Sequence, residues 1–253
     1  MDGHLALATV TIVASFIVGL SKGGLPLVGM LAVPIMSLVI SPLMAAGLLL
    51  PIFVVSDVFG VYVYRREYNA RNLKILTPAA VAGVGIAWAM AATVPEAAVT
   101  LFIGLIGVGF VVSQMALRQG LQACPADVPR GAFWGVVTGV TSFMSHSGAP
   151  PFQIYVLPQR LGKMEFAGTA TILFAVVNAA KLVPYAMLGQ MNLGTIGQVA
   201  WYAPVAIAAT FFGKFLTHRV PERIYFFGVM ASLALVSLLL LREGGLGLMA
   251  PAK

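Results

Sequence analysis

The sequence predicts an all-α polytopic membrane protein made of two inverted repeats, each a broken-helix or hairpin pair followed by three transmembrane helices. Three observations carry this prediction. Only 9% of the 253 residues are charged and 60% are hydrophobic, whereas a soluble domain carries about 25% charged residues. The apolar residues form long continuous runs, not the alternation of a membrane barrel, and helices are then the structures that can span a bilayer. Two polar, glycine-bearing interruptions occupy corresponding places in the two halves of the chain. The many glycines and prolines do not indicate disorder, because disordered chains are poor in apolar residues.

A spanning helix takes about 20 mostly apolar residues. Six stretches meet that requirement: 43–64, 73–93, 97–117, 165–188, 194–216 and 223–241. Residues 5–20 and 25–40 are separated by Ser21-Lys22-Gly23-Gly24, and residues 131–144 and 149–158 by Ser145-His146-Ser147-Gly148. Each half is short for a span, so these pairs are expected as re-entrant hairpins or broken helices. Such backbone is tolerated only under cover of protein or beside a water-filled cavity. The run from Leu5 has no basic residue before it, unlike a cleavable signal, and is expected to remain in the mature protein.

The basic residues orient the chain. Arg65, Arg66, Arg71 and Lys74 share one loop, Arg118 and Arg130 the next, then Arg160 and Lys163, then Lys214, Arg219 and Arg223. Placing these four loops in the cytoplasm satisfies the positive-inside rule and puts both termini outside, in the cytoplasmic (inner) membrane. The net charge of +7 is thereby topological, and nucleic acid is not expected as a partner. A shift of 124 residues lays Ser21, Gly24, Pro26, Pro34, Ala46 and Leu49 on Ser145, Gly148, Pro150, Pro158, Ala170 and Leu173. The corresponding turns 65–72 and 189–195 are basic and uncharged respectively, as an inverted repeat requires. The expected divisions are a first repeat at 1–117, a cytoplasmic linker at 118–130, a second repeat at 131–243 and a C-terminal tail at 244–253. In inverted-repeat transporters the site lies near the midplane, at the broken helices.

Ionisable groups inside spans are costly and mark function by default. Lys22, Asp57, Lys181 and His146 are such groups. Lys22 lies in the first break, and a helix starting near Leu25 would present free N–H groups and a positive dipole end beside it. That arrangement suits an anion held between them. Ser21, Gly23 and Gly24 complete this half of the expected binding site. Ser145, His146, Ser147 and Gly148 form the matching break, with hydroxyl donors and exposed backbone, and Pro150 and Pro151 open the next half-helix. Gln153 follows just inside it. Asn178 and Lys181 are three residues apart on one helix face, with Thr171 and Phe174 on the same face. His146, which titrates near neutral pH, and Asp57 are the candidates for a coupling proton. Asp57 also suits a purely structural ion pair with Lys22 or Lys181. Gly83, Gly85 and the run Gly104–Gly109 are expected as close helix-packing faces.

The breaks Gly19-Leu20-Ser21-Lys22-Gly23-Gly24 and Ser142-Phe143-Met144-Ser145-His146-Ser147-Gly148-Ala149-Pro150-Pro151 resemble those of the sulfite exporter TauE/SafE family. Tyr155-Val156-Leu157-Pro158-Gln159-Arg160 and Asn178-Ala179-Ala180-Lys181-Leu182-Val183-Pro184-Tyr185 look like its branch with a histidine in the second break. The likeness covers nearly the whole chain. It implies a secondary transporter that exports or takes up sulfite, sulfonates or related organosulfur anions. Many members carry a glycine-rich run where this chain has Ser21-Lys22.

The function expected is therefore permease or export transport of a small anion, coupled to protons, with an anion channel at the same broken helices as the alternative. The partners are the anion and the lipid bilayer, with a homodimer left open. No cofactor is expected. A metal site is not expected either, since one histidine without a nearby cysteine or carboxylate is too few ligands. The single Cys124 excludes an intramolecular disulfide. There is no GxxxxGK[ST] loop for ATP. A hydrolase at Ser145-His146-Ser147 is disfavoured, because sequence neighbours rarely meet side chain to side chain.

Overall fold

The computed structural model describes residues 2–26, 28–90, 96–116, 124–191 and 193–249. Among them every regular element is helical. Five helices are long and apolar enough to cross a membrane, and Thr100–Val112 is a shorter apolar stretch. Arg118, part of the expected linker, and residues 250–253 of the expected tail lie outside the described residues. The chain packs into two compact units, residues 1–73 with 163–221 and residues 74–162 with 222–253. Each unit draws elements from both halves of the sequence.

The first unit begins with α1 (Asp2–Lys22), a continuous helix long enough to span. The break falls at Ser21–Gly24 as expected, but the half before it is longer than expected, long enough to span by itself. After α1 come a 3-10 turn at Val28–Leu31 and a five-residue helix, α2 (Ala32–Met36). A Cβ on Gly29 would meet Ser21, and Ala32 and Met36 share a core with Ala14 and Val18, so the chain turns back along α1. Among the described residues no α-helix starts near Leu25. Next is α3 (Pro42–Tyr64), whose N-cap Ser41 accepts a hydrogen bond from the Met44 amide and whose first residue is proline, both favoured start signals.

The C-terminal part of this unit contains α8 (Lys163–Met187), α9 (Leu193–Ala200) and α10 (Ala203–Arg219). The expected span 194–216 is two helices. The chain turns at Trp201 and Tyr202, and Pro204 opens α10, consistent with the first-turn preference of proline. The interior is apolar: Ala14, Val18, Met36, Leu48, Leu49, Ile52, Phe53 and Ala206 pack together. α1 and α10 approach closely through small residues, Gly19 against Ala206 and Ala209, and Gly23 against Thr210 and Gly213. Small residues let backbones touch where the lipid gives no hydrophobic drive to association.

Polar contacts gather at one end of this unit. Lys214 pairs with Glu67 and also lies over the Tyr64 ring, 3.9 Å from its centroid. Asn69 donates to Glu165 at 2.9 Å, its amide donates to Thr169 Oγ1, and Lys163 donates to the carbonyls of His218 and Val220. Segments 65–69, 163–169 and 214–220 therefore share an end.

The second unit holds α4 (Ala70–Met90) from Lys74 onward, α5 (Glu96–Ala116), α6 (Val128–Ser145), α7 (Ala149–Val156) and α11 (Glu222–Met249), with a 3-10 turn at Leu157–Gln159. Asp127 caps α6, its Oδ1 accepting from the Arg130 amide at 2.8 Å. α5 packs on α11 through Gly104 and Gly107 against Ser237 and Leu241, and Gly83 of α4 meets Val136 of α6. The glycine faces read from the sequence hold at these positions. Gly85 and Gly109 face open space. α11 continues through Gly244 to Met249, so helix extends into the region expected as a tail. Large apolar side chains such as Phe102, Leu105, Phe227, Leu235 and Leu238 point outward, as lipid contact requires.

Candidate functional site

A buried charged cluster lies at the end of α1. Lys22 is the last residue of that helix, where the partial negative charge of the C-terminus favours a cation. Its Nζ is 2.7 Å from Asp57 Oδ1, and both side chains are 5% exposed. Asn178 Nδ2 donates to Asp57 Oδ2 at 2.7 Å. Lys181 is completely buried and interacts electrostatically with both Asp57 and Lys22. Two aromatic rings face the Lys22 ammonium, Phe53 at 5.0 Å and Phe174 at 5.9 Å from Nζ to centroid. An ammonium over an aromatic face gains about 0.5–2 kcal/mol.

Two helix stripes position these groups. On α3, Phe53, Asp57, Gly60 and Tyr64 recur at spacings of four, three and four, which places them on one face. On α8, Thr171, Phe174, Asn178 and Lys181 recur at spacings of three, four and three, again on one face. Gly60 leaves room for contact, since a Cβ there would stand 2.7 Å from Thr171 Cγ2 and 3.3 Å from Lys22 Cβ. The carbonyls at the end of α1 are satisfied by hydroxyls from three other helices. Thr171 Oγ1 donates to Lys22 O at 3.2 Å, while Tyr64 Oη at 2.7 Å and Thr217 Oγ1 at 3.2 Å donate to Gly23 O.

The first break is a helix stop of a specific kind. Gly24 has φ +118°, its amide donates to Ser21 O and the Leu25 amide donates to Leu20 O. These are the two bonds of a Schellman motif. The Gly23 amide donates to Gly19 O, and Ser21 Oγ donates to Val18 O. The amides expected to hold an anion are thus committed to ending α1. Lys22 is the group of this break that reaches the cluster.

In the second unit, α6 ends at His146, which takes a left-handed conformation at φ 54°, uncommon for a residue with a Cβ. The His146 and Ser147 amides donate back to Ser142 O and Thr141 O, and Ser147 Oγ donates to Ser145 O. α7 then starts with no side-chain cap. Pro150 and Pro151 carry no N–H, so its first turn offers fewer donors than an ordinary helix N-terminus. Gln153 is fully buried on α7, and neither of its amide atoms has a hydrogen-bond partner among the described residues. Of the residues expected to form the site, Lys22, Asp57, Asn178 and Lys181 come together in the first unit. Ser145, His146, Ser147, Gly148 and Gln153 belong to the second. Among the described residues no group of three or more His, Cys, Asp or Glu is arranged for a metal.

Sequence reasoning missed Phe53, Gly60, Tyr64 and Thr217. The α3 stripe was readable from spacing around Asp57. Thr217 carries no such signal, being brought to Gly23 by the packing of α1 on α10.

Span-length apolar helices define a polytopic membrane protein, and a lysine–aspartate pair is buried among them. The match to the description "Sulfite exporter TauE/SafE" runs over residues 7–240, nearly the whole chain. The chain belongs to that family, a family of membrane transporters. No curated protein and no solved structure matches it.

Proposed function

We propose that the protein is a proton-coupled secondary transporter that carries a small oxidised-sulfur anion, sulfite or a sulfonate, across the cytoplasmic membrane. The observation that carries this reading is the charge balance of the buried cluster. Lys22 pairs with the Asp57 carboxylate, and the completely buried Lys181 adds a second amine that interacts electrostatically with both. Excess positive charge away from water is costly, and a bound anion offsets it. Family membership supports the sulfur chemistry. The basic segments that share an end of the first unit are cytoplasmic in it, with both termini outside. Two inverted repeats moving against each other give alternating access.

The test is uptake by protein in proteoliposomes, with sulfite, methanesulfonate, thiosulfate, sulfate and short carboxylates as the panel. Saturable uptake of a sulfur oxyanion, lost in a folded Lys22→Ala protein, is the expected result. Lys22→Ala transporting at the wild-type rate would remove Lys22 from the site. Non-saturable flux without exchange would make the protein a channel.

A further inference from the structure

Resting on the anion-transport reading above, we propose that Asp57 is the anion's stand-in: the incoming anion displaces the Asp57 carboxylate from Lys22, Asp57 takes up a proton, and the two cross together.

The geometry supplies both halves of the exchange. Lys22 Nζ contacts Oδ1 of Asp57, and Asn178 donates to the other oxygen, Oδ2. When an anion oxygen replaces Oδ1 at Lys22, an O–H bond forms at Oδ1, the oxygen just released. Oδ2 keeps its hydrogen bond from Asn178, so the neutral carboxyl stays seated on α3. The proton comes from hydronium in the aqueous phase that supplies the anion; its O–H bond breaks as the one at Oδ1 forms, and water is left behind.

Charge counting sets the substrate class. With Lys22 and Asp57 ionised, the pair is neutral. With a monovalent anion at Lys22 and Asp57 protonated, the charges again sum to zero. Loaded and empty forms thus meet the same electrostatic barrier in the bilayer, which a doubly charged anion would not allow. The preferred cargo is a singly charged sulfur oxyanion, and its movement with one proton is electroneutral.

The surroundings leave Asp57 as the titrating group. α1 brings Lys22 to it and α8 brings Asn178 and Lys181. On the C-terminal helices Lys163 is engaged with the His218 and Val220 carbonyls, Glu165 with Asn69, Lys214 with Glu67 and Arg219 with the Phe215 ring, and His218 stands at the last turn of α10. Neither α2 nor α9 carries an ionisable side chain, and Tyr64 donates its hydroxyl to Gly23 O.

The experiment uses the full chain in proteoliposomes with radiolabelled methanesulfonate, which stays ionised and does not leak as a neutral acid. For wild type, a gradient of about one pH unit should hold about a tenfold anion gradient, one factor of ten for each factor in proton activity. An imposed potassium-diffusion potential should hold none. Asp57→Asn should lose pH-driven accumulation, keep anion-for-anion exchange and bind the anion more tightly, because its empty form leaves Lys22 without its carboxylate. Asp57→Glu should restore coupling. Wild-type uptake driven by potential and indifferent to pH overturns the displacement while leaving transport intact. Asp57→Asn that still accumulates anion on a pH gradient, or that is folded yet has lost exchange, overturns it too. A wild-type protein that moves no sulfur anion overturns the transport reading itself. If Asp57→Asn does not fold, the wild-type pH and potential arms decide alone.

Discussion

The lysine–aspartate pair can be weighed by a double-mutant cycle of Lys22→Met, Asp57→Asn and the two combined. Removing one member of a buried ion pair leaves the other charge without compensation and costs about 3–5 kcal/mol. Both side chains are 5% exposed, so solvent offers little relief. Each single variant nevertheless keeps some support. Asp57 without Lys22 retains the Asn178 amide and the charge of Lys181, and Lys22 without Asp57 retains the rings of Phe53 and Phe174. The lower end of the range, about 3 kcal/mol for each single variant, is therefore expected. At ~2–4 °C per kcal/mol for a chain of this size, that is a fall in melting temperature on the order of 10 °C. In the double variant neither charge of the pair remains, so stability should recover to within about 1–2 kcal/mol of wild type, because replacing a buried pair is often neutral. The assay is reversible unfolding in mixed micelles, followed by circular dichroism. Single-variant losses that add to within about 0.5 kcal/mol in the double variant would refute the pairing and the charge balance built on it.

Two further outcomes follow from the packing. Gly60→Ala places a methyl 2.7 Å from Thr171 Cγ2; overpacking of this kind costs about 1–3 kcal/mol. Melting temperature and uptake should both fall, although no charged group is altered, and unchanged uptake would separate the α3 stripe from transport. Gln153→Leu removes a buried amide that has no partner among the described residues, each such group costing about 1–3 kcal/mol. The variant should melt higher and transport more slowly, and a variant that melts higher with wild-type uptake would make Gln153 dispensable to the cargo.

Much of the fold was legible because the bilayer constrains it severely. Apolar runs of span length and a scarcity of charge are enough to indicate α3, α4, α5, α8 and α11. Breaks were harder. Ser21-Lys22-Gly23-Gly24 followed by Pro26 carries the signals of a helix stop and of a helix start together. Only the path of the chain past Leu25 decides that the stop is used and no α-helix begins. The break at Trp201–Tyr202 was hidden because both residues are apolar in composition, although Pro204 was a cue. At the site, Lys22, Asp57, Asn178 and Lys181 stood out because charged and amide groups are rare in such helices. Phe53, Gly60, Tyr64 and Thr217 did not, because their roles are those of shape and hydrogen bonding to backbone atoms distant in sequence.

The hydroxyl clamp at the end of α1 has a mechanical consequence. Threonines from α8 and α10 and a tyrosine from α3 all bond the Lys22 and Gly23 carbonyls, which welds four helices at one level. Further along, Pro51 in α3 and Pro184 in α8 each interrupt the hydrogen-bond ladder, as prolines at kinks do. The bundle is thus a fork with a stiff handle and two jointed tines. The charged cluster sits just beyond the handle, where bending of the tines changes its width without moving its anchor.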